Sequence, residues 1–447
     1  MARTDVTTGA NPSGTASRAH FLRQAGLGAA SVALGGALPG LLNPGSANAA
    51  VSFASGTLHV TYWTGITPKK ALLSVFNGFG KKYGMTVKYD PLPVDFGDDV
   101  TKLTTYLSSG YTGLDVLWLD DFMTASFGTA GWLEPLEDKI SKEAFKAVAP
   151  ATVKLSTYNG HIVRLPANSG NVVFFYRKDL FDKEGLSVPR TWADIVKAGK
   201  RLTKGGVYGL GFVGKNGNTQ LFNELSYWIG QAGGDAIHLK TSAARTTLKF
   251  IYDMLHTYKI MPPDTVTNTY TILQTSFQQG HIAMWPTWGG LLGPLLPGAK
   301  AGGGSRFPVY GKTEIALPPK GRKDNSSITA SWGWSISKFS KNKDMAVKFI
   351  EYATMPQSEV TLALTASEPA RISLLSNPTV QGTLPHAKYD AMYNKETTMR
   401  SRPITAQAQR ISDAMEAVIN RYLNKQISLD AAINEAQQRI DQIQRNA

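Results

Sequence analysis

At 447 residues, 42% hydrophobic and 10% aromatic, the chain is globular and long enough to build two hydrophobic cores. It contains no cysteine, which excludes structural disulfides, Cys-based zinc sites and a thiol nucleophile. The net charge is +14, but the basic residues are scattered rather than gathered into a stripe with interleaved aromatics, so nucleic acid is not an expected partner.

The amino terminus reads as an export signal. A polar leader ends in Ser17-Arg18-Ala19-His20-Phe21-Leu22-Arg23, an apolar Gly/Ala/Leu-rich segment follows, and Ala47-Asn48-Ala49 before Ala50 forms a small-residue cleavage site. The Ser-Arg-x-x-Phe-Leu-Arg run resembles a twin-arginine signal with Ala19 in place of the second arginine, leaving Tat and Sec routes both open. Residues 1–49 are therefore assigned to export and 50–56 to a linker. Thr57–Trp63 alternates as a strand should, and Lys69–Tyr83 carries Leu72, Val75, Phe76 and Phe79 on one helical face, closed by Gly84. A strand at 85–89 and a helix at 99–107 follow. The third strand, Asp115-Val116-Leu117-Trp118-Leu119, ends in two acids, Asp120 and Asp121, and leads to Gly131-Trp132-Leu133-Glu134-Pro135-Leu136. This β-α-β-α-β order implies a parallel sheet with helices on its faces.

A second α/β unit begins near Val172. Thr191 and Asp194 have capping-box spacing at the start of a helix. A strand is expected at 208–213, helices at 222–232 and 241–258, and a short strand at 282–285 before a Pro/Gly-rich loop over 286–304. Residues 315–318 lead to a strand at 331–336 and a helix at 343–354. The chain closes with two amphipathic helices near 406–424 and 429–444, the second with Ser428 as N-cap.

The enzyme motifs in the sequence are incomplete. Gly209, Gly211 and Gly214 satisfy G-x-G-x-x-G, but lie inside a strand pattern and open no helix. Gly311-Lys312-Thr313 has Arg306 where a phosphate-binding loop needs glycine. No metal-ligand pair stands at helical spacing, and neither metal nor cofactor is expected. Asp120 and Asp121 stand where an open α/β sheet displays groups to a ligand. As adjacent residues they do not naturally flank a glycosidic bond, so hydrogen bonding to a ligand ranks above catalysis. Trp285 and Trp288 flank Pro286-Thr287 in the expected loop, and Trp332 and Trp334 flank Gly333. Trp288 and Trp332 suit stacking on a sugar ring, whereas Trp334 reads as core.

The Asp115–Leu136 stretch, together with Tyr158-Asn159-Gly160-His161-Ile162-Val163-Arg164-Leu165-Pro166, Phe175-Tyr176-Arg177-Lys178-Asp179-Leu180-Phe181, Pro189-Arg190-Thr191-Trp192, Phe277-Gln278-Gln279-Gly280-His281-Ile282-Ala283-Met284, Trp332-Gly333-Trp334 and Pro369-Ala370-Arg371, resembles the family 1 extracellular solute-binding proteins of bacterial ABC transporters, most of all the trehalose/maltose-binding branch. The likeness covers nearly all of 57–444. It implies an α/β, two-lobed periplasmic-binding-protein fold, with discontinuous lobes (57–167 with 318–352, and 168–317 with 353–447) joined by crossover hinge strands near 166–171, 315–318 and 353–357. It further implies that a carbohydrate is captured between the lobes by hinge closure, with contacts at Asp120, Trp288, Trp332 and Arg371. The protein would be a monomer that works outside the cytoplasm, in the periplasm or on the outer face of the membrane, handing its ligand to the transmembrane subunits of an ABC permease and performing no chemistry. A secreted carbohydrate-active enzyme or an anionic-polymer-binding module is the alternative.

Two departures from the branch concern the ligand. After Leu165-Pro166 the usual aspartate is replaced by a run containing Asn168 and Asn171, and the early acidic position falls near Pro68-Lys69. With Lys69 or Lys70 and Asn168 or Asn171 near those places, and Arg371 still expected in the cleft, a ligand bearing an acidic group is expected, because lysine and arginine donate hydrogen bonds and accept none.

Overall fold

A computed structural model describes residues 56–63, 69–93, 96–217 and 219–446; the expected export signal and nearly all of the linker lie outside them. The elements that position the site are β1 (Thr57–Trp63), α1 (Lys69–Tyr83), β2 (Thr86–Leu92), α2 (Phe96–Ser108), β3 (Val116–Asp120), α3 (Asp121–Thr129), β4 (Leu165–Arg177), α4 (Gln220–Gln231), α5 (Tyr270–Gln278), β5 (Met284–Trp288), β6 (Thr313–Ala316), β7 (Ser327–Ile336), α6 (Lys343–Ala353), α7 (Ala387–Glu396), β8 (Met399–Ser401), α8 (Ala408–Leu423) and α9 (Leu429–Arg445).

The sheet has eight strands in the order β2-β1-β3-β7-β4-β5, with β8 beside β7 and β6 beside β4. β1 runs parallel to β2 and β3, as the β-α-β-α-β pattern requires. Two long strands serve both halves of the molecule. β4 pairs with β7 from Leu165 to Asn171, then turns its second half toward β5 and β6. β7 pairs with β8 through Ser327–Thr329 and with β3 through 332–336. The pairing of β4 with β7 shifts register between Pro166 and Asn168, a bulge of the kind that bends a strand. The stretch 315–318 falls at the end of β6, beside the second half of β4.

Each half has its own core. One gathers Leu58, Val60 and Tyr62 from β1, the Leu72–Phe79 face of α1, all of β3 but its last residue, and Phe349 and Ile350 of α6. The other gathers Val172 and Phe174 of β4, Leu221 to Ile229 of α4, and the inner faces of α8 and α9. The helical faces bury residues three and four apart, the spacing read from the sequence. Among the described residues no helix is long and apolar enough to cross a membrane.

Three sequence expectations change. Residues 208–213 form no strand: they make one isolated parallel bridge, Tyr208 with Ile282, and donate single backbone bonds to His281, Ile260 and Met284. The reason lies in the glycines, since a Cβ at Gly209 would stand 2.4 Å from the Gly199 backbone and one at Gly214 2.6 Å from the Thr265 carbonyl. The strand expected over 282–285 continues through Pro286 and Thr287 to Trp288, where a loop was expected. β5 runs through Pro286 because it ends the strand order, where a residue without an N–H is tolerated. The helix expected over 241–258 is α-helical only from Ser242 to Tyr252 and continues as a π-helical turn, Asp253–Thr257. The caps at Thr191 and Ser428 form as expected, the former as a reciprocal capping box.

Candidate functional site

The site is built where β3 ends. All five residues of β3 are buried, so its last residue delivers a carboxylate into the protein interior. Asp120 turns that position into a helix start: its Oδ1 accepts from the Phe122 N–H at 2.8 Å and caps α3. Asp121, the first residue of α3, accepts from the Ser331 N–H at 2.9 Å, which ties α3 to β7. Arg164 lies under the same point and donates to the Ser331 carbonyl and hydroxyl, each at 2.8 Å. Burial lowers the Arg164 guanidinium to about 10, with Asp121 and Asp120 opposing.

The partner of the two acids comes from the other half of the chain. Arg402, just past β8, donates to Asp120 and, at 2.5 Å, to Asp121. It is only 3% exposed. Its guanidinium is 5.3 Å from the centre of the Phe122 ring and 5.8 Å from that of Trp288, so aromatic faces from α3 and β5 enclose the cation. Burial works against the Arg402 charge, but Asp120 and Asp121 more than offset it and hold the proton more firmly than usual. Burial pushes Asp120 upward, and Arg402 opposes it. Arg402 was missed in the sequence because nothing local marks it: it stands 282 residues from Asp120.

Two half-buried tryptophans belong to this region. Trp332 sits opposite Asp120 in the β3–β7 ladder, packs its edge against Trp63 at 4.8 Å and lies 6.1 Å from Phe96. Trp288 donates from its indole N–H to the Tyr270 hydroxyl at 3.2 Å. Trp285, by contrast, is fully buried in the core around β5, with its N–H donating to Glu224 at 3.0 Å. Burial raises the Glu224 carboxyl to about 8, with the Trp285 bond opposing. Trp334 is fully buried.

The other expected residues lie apart from Arg402 by their contacts. Asn168 pairs with Trp332 across the β4–β7 ladder, and its amide donates to the Glu368 carbonyl at 3.0 Å. Asn171 donates to Asp390 at 2.9 Å; burial, together with the Glu368 carboxylate, pushes Asp390 well up. Arg371 donates to the Thr354 carbonyl at 2.8 Å. Lys69 opens α1 on an exposed face, with its ammonium 4.8 Å from the centre of the Tyr89 ring. One acid absent from the sequence reading joins the region. Asp99, in the first turn of α2, is 1% exposed, and its Oδ1 has no hydrogen-bond partner. In the sequence it reads as an ordinary helix-start acid.

The residues that match the bacterial extracellular solute-binding protein model run from 63 to 360, and the chain belongs to that family. It is 25% identical over 368 residues to a probable ABC transporter-binding protein of Deinococcus radiodurans, covering 78% of this chain and 84% of the relative. It is 26% identical over 264 residues to a mannitol-binding protein of Pseudomonas aeruginosa, covering 57% and 59% of the two chains. The fold is that of maltose-bound T. maritima MalE3, with a TM-score of 0.78, 24% identity, and coverage of 87% of this chain and all of the other. An Agrobacterium vitis solute-binding protein with bound D-mannitol gives a TM-score of 0.74 at 23% identity, with coverage of 88% and 99%. The two-lobed solute-binding fold expected from the sequence is therefore the fold of this chain.

Proposed function

We propose that the protein captures a carbohydrate or polyol between its halves and delivers it to the transmembrane subunits of an ABC permease. The observation that carries this reading is the meeting at Arg402: an acid pair from β3–α3, a guanidinium from beyond β8, and half-buried Trp288 and Trp332 nearby. Hydroxyls want fixed charged partners and sugar C–H faces want indole, and this region supplies both. Among the relatives and structural neighbours, those named for mannitol and maltose support a polyhydroxylated solute.

No chemistry is assigned. Asp120 and Asp121 share one arginine nitrogen, whereas glycoside hydrolysis needs two carboxyls about 5–9.5 Å apart across the scissile bond. Site residues are proposed to be Asp120, Asp121, Trp288 and Trp332, with Arg402 added. Asn168, Asn171, Arg371, Trp285 and Lys69 support or border them. The lobes are taken as 57–167 with 318–352 and 168–317 with 353–447, closing over the ligand as a monomer. Export to the periplasm or to the outer face of the cytoplasmic membrane fits the family and the leader. Small-angle scattering of the protein with maltose or D-mannitol, at saturation by calorimetry, tests closure. Contraction is expected; an unchanged radius of gyration at saturation contradicts it.

A further inference from the structure

The buried acids around the β3–α3 junction are not all partnered. Asp120 and Asp121 face Arg402 and Arg164, two carboxylates against two guanidiniums. Asp99 is the third carboxyl, and among the described residues no buried cation answers it. Lys102, one turn further along α2, spends its ammonium on the Pro91 carbonyl at 2.5 Å and lies in an exposed stretch. Asp99 shares its helix face with Phe96, which meets Trp332 at 6.1 Å and Phe122 at 6.2 Å, so it looks toward the same region as the acid pair. Its Oδ1 is a buried acceptor without a donor. Asn223 Oδ1 on α4, whose side-chain amide is engaged with the Tyr270 hydroxyl, is a second. Arg402 Nε is a buried donor without an acceptor.

Given the carbohydrate capture proposed above, on which this rests, we propose that the ligand carries a basic nitrogen: an amino sugar or amino polyol whose ammonium pairs with Asp99 while its hydroxyls meet Arg402 Nε and Asn223. An ammonium is a donor-only group with three N–H bonds, which suits an acceptor with no partner. Its charge answers the one that Asp99 takes on when it gives up its proton. The acidic ligand expected from Lys69, Asn168 and Asn171 is replaced, because Lys69 lies exposed and both asparagines are engaged elsewhere.

Burial, with the charge of Asp120, raises the Asp99 carboxyl to about 8, while Lys102 opposes. At pH 7 it is therefore mostly protonated. Binding R–NH3+ converts Asp99–COOH to the carboxylate paired with the intact ammonium and sends one proton to the buffer. A neutral sugar has no such requirement.

Matched pairs test this: cellobiose with the glucosamine dimer, glucose with glucosamine, and D-mannitol with 1-amino-1-deoxymannitol, each titrated by calorimetry into the full chain at pH 7 in buffers of different ionisation enthalpy. The expected result is at least tenfold tighter binding of an aminated member than of its neutral partner, with close to one proton released. In Asp99→Asn, checked for folding by circular dichroism, the preference and the proton release should both disappear. If neutral members bind as well as aminated ones, or if the preference survives in Asp99→Asn, the amine proposal falls and carbohydrate capture stands. If no member of either kind binds, both fall.

Discussion

Asp120 and Asp121 on one side and Asp99 on the other are carboxylates buried to the same degree within one half of the molecule, yet they sit in opposite situations. The first two are answered by Arg402 and Arg164 and by backbone N–H groups. The third is answered by nothing strong. A buried charge with a partner is fixed in place, and removing the partner is what hurts. A buried acid without one keeps its proton and stays ready for a donor brought from outside. The comparison separates groups that shape the site from a group that waits for something in it.

The largest effect should come from breaking the answered pair. Arg402→Ala leaves two carboxylates buried without their cation and should lower stability by about 3–5 kcal/mol in urea unfolding. A loss below about 1 kcal/mol would mean the pair is solvated, as a surface ion pair would be. Next come the indoles beside it. Trp288→Ala and Trp332→Ala should each weaken a bound saccharide by about 1–3 kcal/mol, the scale of lost aromatic burial. Trp285→Ala should instead unfold at lower urea, because Trp285 is core.

The unanswered acid should show itself in the pH dependence of stability. The unfolded chain has given up the Asp99 proton by pH 5, while the folded chain keeps it until about pH 8. Stability therefore falls as pH rises between those values, by up to about 1.4 kcal/mol per pH unit for one such group. Glu224 and Glu359, both raised to about 8 by burial, add the same sign. Asp99→Asn should flatten the fall between pH 6 and 7 by one group's share; an unchanged slope would show that Asp99 is already ionised. The smallest effect sets the baseline. Thr191→Ala removes a capping box that touches neither carboxylate group and should cost about 1 kcal/mol with no change in ligand affinity.

The sequence showed the scaffold better than the site. β1, β3 and the helical faces of α1, α8 and α9 are legible because a single period repeats over many residues, and burial follows it. Asp120 and Asp121 are legible as acids because a run of buried β-formers stops at them. The first half of β5 is legible, but its run through Pro286 to Trp288 is hidden by the proline, which argues against a strand unless the strand lies at a sheet edge. The glycines at 209–214 looked like strand residues, but they serve close backbone approach. Arg402 and Asp99 could not be read. One is a lone arginine brought close by topology, and the other matches a common helix-start acid whose burial depends on Phe96 packing across to Trp332 and Phe122.

Saccharide capture beside Trp288 and Trp332 is the central claim, and a thermal-shift screen tests it most directly. Wild type and the Trp288→Ala/Trp332→Ala double variant are each heated with a panel of neutral and aminated sugars and polyols. At least one compound should raise the melting temperature of the wild type and leave that of the folded double variant unmoved. A panel that stabilises neither protein, or stabilises both equally, would contradict it.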